Sequence, residues 1–204
     1  MIGPLCVITD AESPLALFDQ AEAAARGGAA LVQLRHKTLD DAAFAELARE
    51  ILGRNTTLGA RLVINDRVAV ARAVAAHGLH IGQGDGDPRA VRALIGPDML
   101  LGLSVEAPEQ LGAVPQTTVD YLGVGPIHAT ATKPDHAPPM GFAGLAAIVA
   151  ATPLPCLAIG GLGMADIPAL RASGAAGLAV VSAVARALDP QSAARALVDA
   201  WRRA

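Results

Sequence analysis

The stretch Asp120 to Gly141, D-Y-L-G-V-G-P-I-H-A-T-A-T-K-P-D-H-A-P-P-M-G, joins a short apolar segment to a long polar loop. Its beginning, Tyr121 to Val124, is typical of a buried strand, and a helical pattern at Phe142 to Ala151 follows the loop. A loop of about a dozen residues inside a compact domain is usually functional or disordered. The candidate anion ligands in this loop are Thr130, Thr132 and Lys133. The stretch therefore predicts a strand, a binding loop and a helix in series.

The same alternation of apolar runs and Ala-rich helical patterns continues along the whole chain. The predicted strands are Leu5 to Thr9, Leu31 to Leu34, Leu62 to Ile64, Leu79 to Ile81, Met99 to Leu103, Tyr121 to Val124, Cys156 to Ile159 and Leu178 to Val181. The predicted helices are Leu15 to Arg26, with Ser13 as its cap, about Asp40 to Leu52, Val68 to Ala76, Pro88 to Leu94, a weaker one near Glu109 to Ala113, Phe142 to Ala151, Ile167 to Ala172 and Gln191 to Arg202.

This alternation predicts the fold class. Unbroken Val, Ile and Leu runs are typical of strands buried on both faces, as in parallel sheets. A set of eight strand-helix units within 204 residues, with no shift in composition, indicates an α/β protein with a single (β/α)8 TIM-barrel domain over residues 1–204. The alternative is a flavodoxin-like open sheet, which normally needs only about five such units.

Composition excludes several classes of protein. The formal net charge is −3 and there is no basic run, so nucleic-acid binding is not indicated. The two cysteines, Cys6 and Cys156, both lie in apolar runs and fit reduced, buried thiols. The amino terminus lacks the basic region of a secretory signal. The least charged window, Phe142 to Ala165, contains prolines and a glycine cluster, which favour a helix, a turn and a strand over a membrane span. We therefore expect a cytoplasmic protein without a membrane partner.

Polar residues follow the apolar runs, where barrel enzymes place their chemistry. In strand order they are Gln33 to Lys37 after strand 2, Asn65 and Asp66 after strand 3, Gly82 to Asp85 after strand 4, Ser104 after strand 5, Thr130, Thr132 and Lys133 after strand 6, Gly160 and Gly161 after strand 7, and Ser182 after strand 8. In a closed parallel barrel these positions share one rim.

The charges on this rim are suited to a diphosphate bound with a divalent metal ion. Asp66 and Asp85 would take Mg²⁺, which binds through one or two carboxylates plus substrate phosphates. The cations expected to grip the phosphate are Arg35, Lys37 and Lys133. The lysines stand out because fourteen of the sixteen basic residues are Arg. The alternative is that Asp66 pairs with Arg67 or another neighbour, and that Asp85 caps the helix at Pro88.

Small residues after strands 7 and 8 predict a second anion site. Gly160, Gly161 and the amides of Val181 and Ser182 could bind a phosphate, as these two loops do in many barrels. Two phosphate sites on one rim indicate a transferase with two phosphorylated substrates and pyrophosphate as leaving group. No Ser-His-Asp triad, Cys/His metal cluster or dinucleotide fingerprint is evident. We expect His80 to pack at the start of strand 4.

Together these segments resemble the thiamine phosphate synthase family over nearly the whole chain. The motifs that carry the resemblance are V-Q-L-R-H-K (32–37), I-N-D-R-V-A-V-A (64–71), G-L-H-I-G-Q-G-D (78–85), G-L-S-V (102–105), D-Y-L-G-V-G-P-I-H-A-T-A-T-K (120–133), A-I-G-G-L (158–162) and V-V-S-A (180–183). The resemblance implies that a hydroxymethylpyrimidine diphosphate loses pyrophosphate and is captured by the ring nitrogen of a thiazole phosphate, or of its carboxylated form.

The resemblance also implies roles for individual residues. The catalytic residues would be Arg35, Lys133 and Ser104. The pyrimidine diphosphate would be bound by Gln33, Leu34, Arg35, His36, Lys37, Asn65, Ser104 and Lys133. The thiazole phosphate would be bound by Thr130, Ala131, Thr132, Gly161, Val181 and Ser182. Mg²⁺ would be held by Asp66 and Asp85.

Two positions depart from the family pattern. Glu106 stands where the family often has a histidine, and His128 stands where many members have an aromatic residue. His128 keeps open a related thiazole tautomerase, an isomerase that uses a histidine in the loop after strand 6. A catalytically silent binding regulator is a further alternative, although it would have no use for the two aspartates. The expected partners are small phosphorylated molecules, and a homo-oligomer is compatible with the sequence.

Overall fold

A computed structural model of the chain describes residues 2–130, 132 and 137–204. Eight parallel strands form a closed barrel in sequence order, with β1 pairing with β8 to close it. The strands are β1 Leu5–Ile8, β2 Leu31–Leu34, β3 Arg61–Asn65, β4 Gly78–Ile81, β5 Leu100–Val105, β6 Tyr121–Val124, β7 Cys156–Ile159 and β8 Gly177–Val180. The predicted (β/α)8 barrel is confirmed, and the open sheet is excluded.

Helices surround the barrel between successive strands. They are α1 Leu17–Arg26, α2 Asp41–Thr57, α3 Val68–Ala73, α4 Pro88–Ile95, α5 Gly141–Ala150, α6 Ile167–Ala172, α7 Ser182–Ala185 and α8 Pro190–Arg203. Two 3-10 helices, Pro108–Ala113 and Met164–Asp166, complete the set within the described residues. The first of these takes the place of the weaker helix that the sequence predicts near Glu109.

The strands are apolar throughout because both of their faces are buried. Along β1, Leu5 and Val7 belong to the layer between barrel and helices, whereas Cys6 and Ile8 belong to the cluster inside the barrel. The inner cluster consists of Ile2, Cys6, Ile8, Leu31, Val63, Tyr121, Leu157 and Ala179. It fills the barrel interior with apolar side chains, as expected for this fold.

Two local predictions need correction. Ser13 does not cap α1: the cap position is Ala16, which makes no side-chain cap hydrogen bond. Ser13 instead donates its hydroxyl to the carbonyl of Ala185 at 2.7 Å and so ties the loop after β1 to α7. The short helix α7 was not predicted, because a single helical turn carries no periodic pattern of its own.

No helix in the described part of the chain is long and apolar enough to span a membrane. The Pro- and Gly-containing window after Phe142 forms α5, a turn and β7 instead. The interpretation of that window as a helix, a turn and a strand is confirmed.

Candidate active site

A cavity of about 230 Å³ opens at the carboxyl ends of the strands. Its floor is the apolar barrel interior, and its rim carries most of the polar residues singled out in the sequence. The predicted site residues that line it are Gln33, Arg35, Lys37, Asn65, Asp66, Asp85, Ser104, Thr130, Thr132, Gly161, Val181 and Ser182. The structure therefore brings residues from seven strand ends to one mouth, while their roles in binding remain predictions.

Two predicted residues within the described part of the chain, Leu34 and His36, are not part of this lining. Leu34 is fully buried and packs in the outer layer between barrel and helices. The ring of His36 accepts hydrogen bonds at Nδ1 from the backbone N–H groups of Thr38 and Leu39, at 3.3 and 3.0 Å, and so stabilises its own loop. Ala131 and Lys133 lie outside the described residues.

Asp66 stands at the centre of the charged side of the rim. Its Oδ2 accepts a hydrogen bond from Asn65 Nδ2 at 2.7 Å and lies 3.4 Å from Lys37 Nζ. Its backbone has a positive φ of 54°, a conformation that Asp tolerates better than most residues. Arg67 is not its partner, because Arg67 donates to Asp41 at 2.7 Å.

Asp85 lies across the mouth in the loop after β4. Its Oδ2 accepts a hydrogen bond from the backbone N–H of Gly82 at 2.7 Å, which closes the loop. It does not cap α4, because the N-cap of that helix is Asp87, whose carboxylate accepts from the N–H of Arg89 at 3.0 Å. Asp85 is therefore exposed at the mouth and available to a ligand.

Arg35 is held by its neighbours at the end of β2. The hydroxyl of Thr9 accepts from the Arg35 N–H at 3.0 Å and donates to the Arg35 carbonyl at 3.3 Å. Beside it, buried Asp10 accepts from Arg186 Nε at 2.5 Å. Burial by itself raises the pKa of Asp10, but the hydrogen bonds from Arg186 and the Glu12 N–H, with the charges of Arg186 and Arg35, outweigh it and hold that pKa below its usual value. The two hydrogen bonds with Thr9 thus fix the backbone of the residue that carries the Arg35 guanidinium.

On the opposite side of the mouth, backbone groups replace charged side chains. Gly160 and Gly161 have φ values of 104° and 65°, which favour glycine. A Cβ on Gly161 would come within 2.8 Å of the Ala129 carbonyl, so the turn after β7 packs directly on the loop after β6. The first turn of α7 begins at Ser182, and the leading N–H groups of a helix have no intrahelical partner. These loops can therefore donate to an anion.

A polar cluster lies deeper in the cavity, and of its three members the sequence predicted only Ser104 as a site residue. His80 Nδ1 lies 3.1 Å from Tyr121 Oη, and His80 Nε2 lies 3.0 Å from Ser104 Oγ. The expectation that His80 packs at the start of strand 4 is wrong: it is the third of four residues in β4, and its ring lines the cavity. Burial lowers the pKa of His80 to about 4, with a smaller opposing effect of Asp85, so the ring is neutral at pH 7.

Glycines make room for this cluster. A Cβ on Gly102 would lie 2.4 Å from His80 Nδ1 and 2.2 Å from Tyr121 Cζ, and one on Gly123 would lie 2.9 Å from His80 Cε1. The sequence did contain a signal for this cluster: Gly102 and Gly123 lie inside the neighbouring strands β5 and β6, and His80 lies inside β4.

Neither cysteine is a nucleophile for this site. Cys6 lines the floor of the cavity, but burial raises its pKa to about 12. Burial also raises the pKa of Cys156, to about 11. Both thiols are free and buried, as the sequence predicts. Since the thiolate is the reactive form, these residues are inert at neutral pH.

A family model described as thiamine monophosphate synthase matches residues 5–184. The chain belongs to the thiamine monophosphate synthase family. Thiamine-phosphate synthase of Solidesulfovibrio magneticus is 52% identical over 181 residues, covering 89% of this chain and 86% of the relative. The enzyme of the same name from Azorhizobium caulinodans is 47% identical over 181 residues, covering 89% and 85% of the two chains.

Solved structures agree with the family assignment. Thiamine phosphate pyrophosphorylase from Pyrococcus furiosus superposes with a TM-score of 0.89 at 29% identity, covering 98% of this chain and 96% of that one. This chain therefore shares the whole of its barrel with the Pyrococcus furiosus protein. The sequence resemblance to this family is confirmed.

The two departures from the family pattern lie in different surroundings. Glu106 lines the cavity at its rim. His128 does not belong to the described lining; its Nε2 lies 3.0 Å from Asp166 Oδ1 and its ring stacks edge-on with Phe142. His128, on which the tautomerase alternative depends, therefore contacts Asp166 and Phe142 and does not line the described cavity.

Proposed function

We propose that the chain is a thiamine-phosphate synthase. It would join a hydroxymethylpyrimidine diphosphate to a thiazole phosphate and release pyrophosphate. The observation that carries this proposal is that one half of a single mouth is lined by charged side chains and the other by glycines, hydroxyl side chains and the Val181–Ser182 turn, which we infer to be two anion sites. Family membership and the relatives' names point to the same reaction.

The charged half suits the diphosphate. Arg35 offers a planar guanidinium that can donate to two phosphate oxygens at once, and Lys37 offers a compact charge. Lys133, which the sequence assigns to the same substrate, would add a further cation. The pyrimidine ring would then extend toward the apolar floor formed by residues such as Ile8 and Leu157.

The donor set also fits Mg²⁺. Within the described residues, the hydrogen bonds to Asp66 and Asp85 both end on Oδ2, which leaves Oδ1 of each carboxylate available. Groups of three or more His, Cys, Asp or Glu side chains suited to a metal do not occur in the described part of the chain. Two carboxylates completed by substrate phosphates and water are what Mg²⁺ uses in many phosphate sites. When bound, Mg²⁺ would neutralise charge that develops on the departing pyrophosphate.

The remaining half suits the thiazole phosphate. Thr130 and Thr132, with Gly161 and the Val181–Ser182 turn, line the cavity opposite the aspartates. A phosphate anchored there would leave the thiazole ring facing the pyrimidine. The attacking ring nitrogen carries no proton, so no general base is required. Positioning and electrostatic stabilisation of the leaving group would supply the catalysis.

The direct test is to mix the purified protein with both phosphorylated rings and Mg²⁺ and to detect thiamine phosphate by mass. We expect product that depends on both substrates and disappears in excess chelator. Product formation undiminished by chelator would contradict the metal role.

Variants test the assignment of residues. Asp85→Asn, Asp66→Asn and Lys133→Ala should each lower the rate by about 100-fold or more, because each removes a charge that faces the diphosphate. The control is Glu50→Gln, which removes an exposed carboxylate on α2 and should keep the full rate. Near-normal rates in the aspartate variants would overturn the site.

The same mixtures separate the alternatives. An isomerase would convert one thiazole tautomer into the other without the pyrimidine diphosphate, and a regulator would bind both rings without turnover. A homo-oligomer and a cytoplasmic location stay predictions of the sequence.

A further inference from the structure

His80 and Tyr121 have no role in the reaction as described above, yet they form a hydrogen-bonded cluster with Ser104, which is expected to bind the pyrimidine diphosphate. The register explains how it forms: His80 on β4 is the partner of Gly102 on β5, and Gly102 is the partner of Tyr121 on β6. Because Gly102 has no side chain, the two rings meet above it, with centroids 5.5 Å apart. Ser104 lies two residues further along β5, on the same inner face.

The direction of the hydrogen bonds follows from the surroundings of the Tyr121 hydroxyl. Tyr121 is 1% exposed, in the apolar cluster inside the barrel, and within the described residues its hydrogen-bond partner is His80 Nδ1. A buried hydroxyl that donates to nothing is costly. Tyr121 Oη–H therefore donates to Nδ1, which must be unprotonated to accept.

A neutral imidazole that accepts at one nitrogen carries its proton on the other. His80 Nε2–H then donates to Ser104 Oγ. The serine cannot donate back to that nitrogen, so its own hydrogen is free to point into the cavity. The chain of donors runs outward, from Tyr121 through His80 to Ser104.

We propose that His80 and Tyr121 are positioning residues that hold Ser104 as a hydrogen-bond donor toward the substrate. This inference rests on the proposed function and adds to it. The atom of the pyrimidine diphosphate that meets Ser104 would be an acceptor, either a ring nitrogen or a phosphate oxygen. Ser104 would not act as a nucleophile, because His80 donates to its oxygen instead of taking its proton.

The first test is kinetic. Tyr121→Phe keeps the ring and removes only the first donor, and should raise KM for the pyrimidine diphosphate about tenfold, as the loss of about one hydrogen bond predicts. KM for the thiazole phosphate should stay within twofold. Ser104→Ala should give a similar increase, and the double variant should be no worse than Ser104→Ala alone, because both changes remove one chain of hydrogen bonds.

A control variant distinguishes the loss of a positioning hydrogen bond from a general loss of packing inside the barrel. Val63→Ala removes two methyl groups from the same inner cluster, and Val63 is not part of the described cavity lining. It should lower stability while leaving both KM values within twofold. The proposal is overturned if Tyr121→Phe leaves KM for the pyrimidine diphosphate unchanged, or if the effects of Tyr121→Phe and Ser104→Ala multiply.

The second test needs neither a variant nor turnover. Nitrogen chemical shifts of ¹⁵N-histidine in the wild-type protein distinguish the two neutral tautomers, and the His80 ring is assigned through its contact with the Tyr121 ring. We expect a protonated Nε2 and an unprotonated Nδ1; the reverse would overturn the proposal. If the protein forms no thiamine phosphate, the proposed function fails, while this measurement still decides the direction of the hydrogen bonds.

Discussion

At the scale of single residues, glycines decide where the functional side chains can go. Gly161 lets the turn after β7 approach the loop after β6, and Gly102 lets His80 and Tyr121 meet. The sequence alone identified the first, because a Gly-Gly pair after a strand is a recognisable turn. It could not identify the second, because contact across strands depends on register, which short apolar runs do not specify.

Replacing Gly102 tests whether the rings of His80 and Tyr121 meet above this position. Gly102→Ala should lower the free energy of unfolding by about 1–3 kcal/mol, because its Cβ would overlap two buried rings and force them apart. The matched control is Gly53→Ala on α2, where a Cβ meets nothing within 4 Å and alanine is the better helix former. Urea unfolding of the two variants measures both effects. Equal stability of Gly102→Ala and the wild type would show that the rings do not pack above this position.

At the scale of elements, hydrogen bonds and an ion pair join the loops after β1, β2 and β8 to one another. Thr9 holds the backbone of Arg35, Ser13 binds the carbonyl of Ala185, and Asp10 pairs with Arg186. The sequence predicted that the strand ends share a rim, because parallel strands in a closed barrel all point the same way. It did not predict these links, which carry no local signature; Thr9 and Arg35 are 26 positions apart, and the other two pairs are more than 170 positions apart.

The pair of Asp10 and Arg186 gives this region a defined pH dependence. Since the folded-state pKa of Asp10 is lowered, its contribution to stability is present above its ordinary value of 3.8 and is lost as the pH falls through the lower, folded-state pKa. Asp10→Asn should therefore destabilise the protein by about 2 kcal/mol at pH 7, as the loss of one hydrogen bond to a charged group predicts. The difference from wild type should shrink below pH 4.

Thermal unfolding of wild type and variant at pH 7 and at pH 3.5 measures this difference. Asp98→Asn removes an exposed carboxylate and serves as the control, with no change in stability expected at either pH. A destabilisation by Asp10→Asn that is the same at both pH values would mean that the carboxylate charge does not contribute.

At the scale of the whole molecule, closure of the barrel turns seven separate strand ends into one mouth. The fold could be predicted because the alternation of strand and helix is repeated eight times, so an error in any one element does not alter the whole. Most rim residues could be predicted because they follow strands directly. The contribution of His80 and Tyr121 to the site could not be predicted, because both residues lie within strands and resemble core residues in the sequence.

A crystal structure of the protein with thiamine phosphate, pyrophosphate and Mg²⁺ would show whether both phosphate sites share the mouth at the carboxyl ends of the strands. We expect both ligands in one cavity, with pyrophosphate beside Arg35 and Lys37 and the phosphate of the product at the Gly161 and Ser182 loops. Pyrophosphate bound at the amino-terminal end of the barrel, or the two ligands bound in separate cavities, would contradict this expectation.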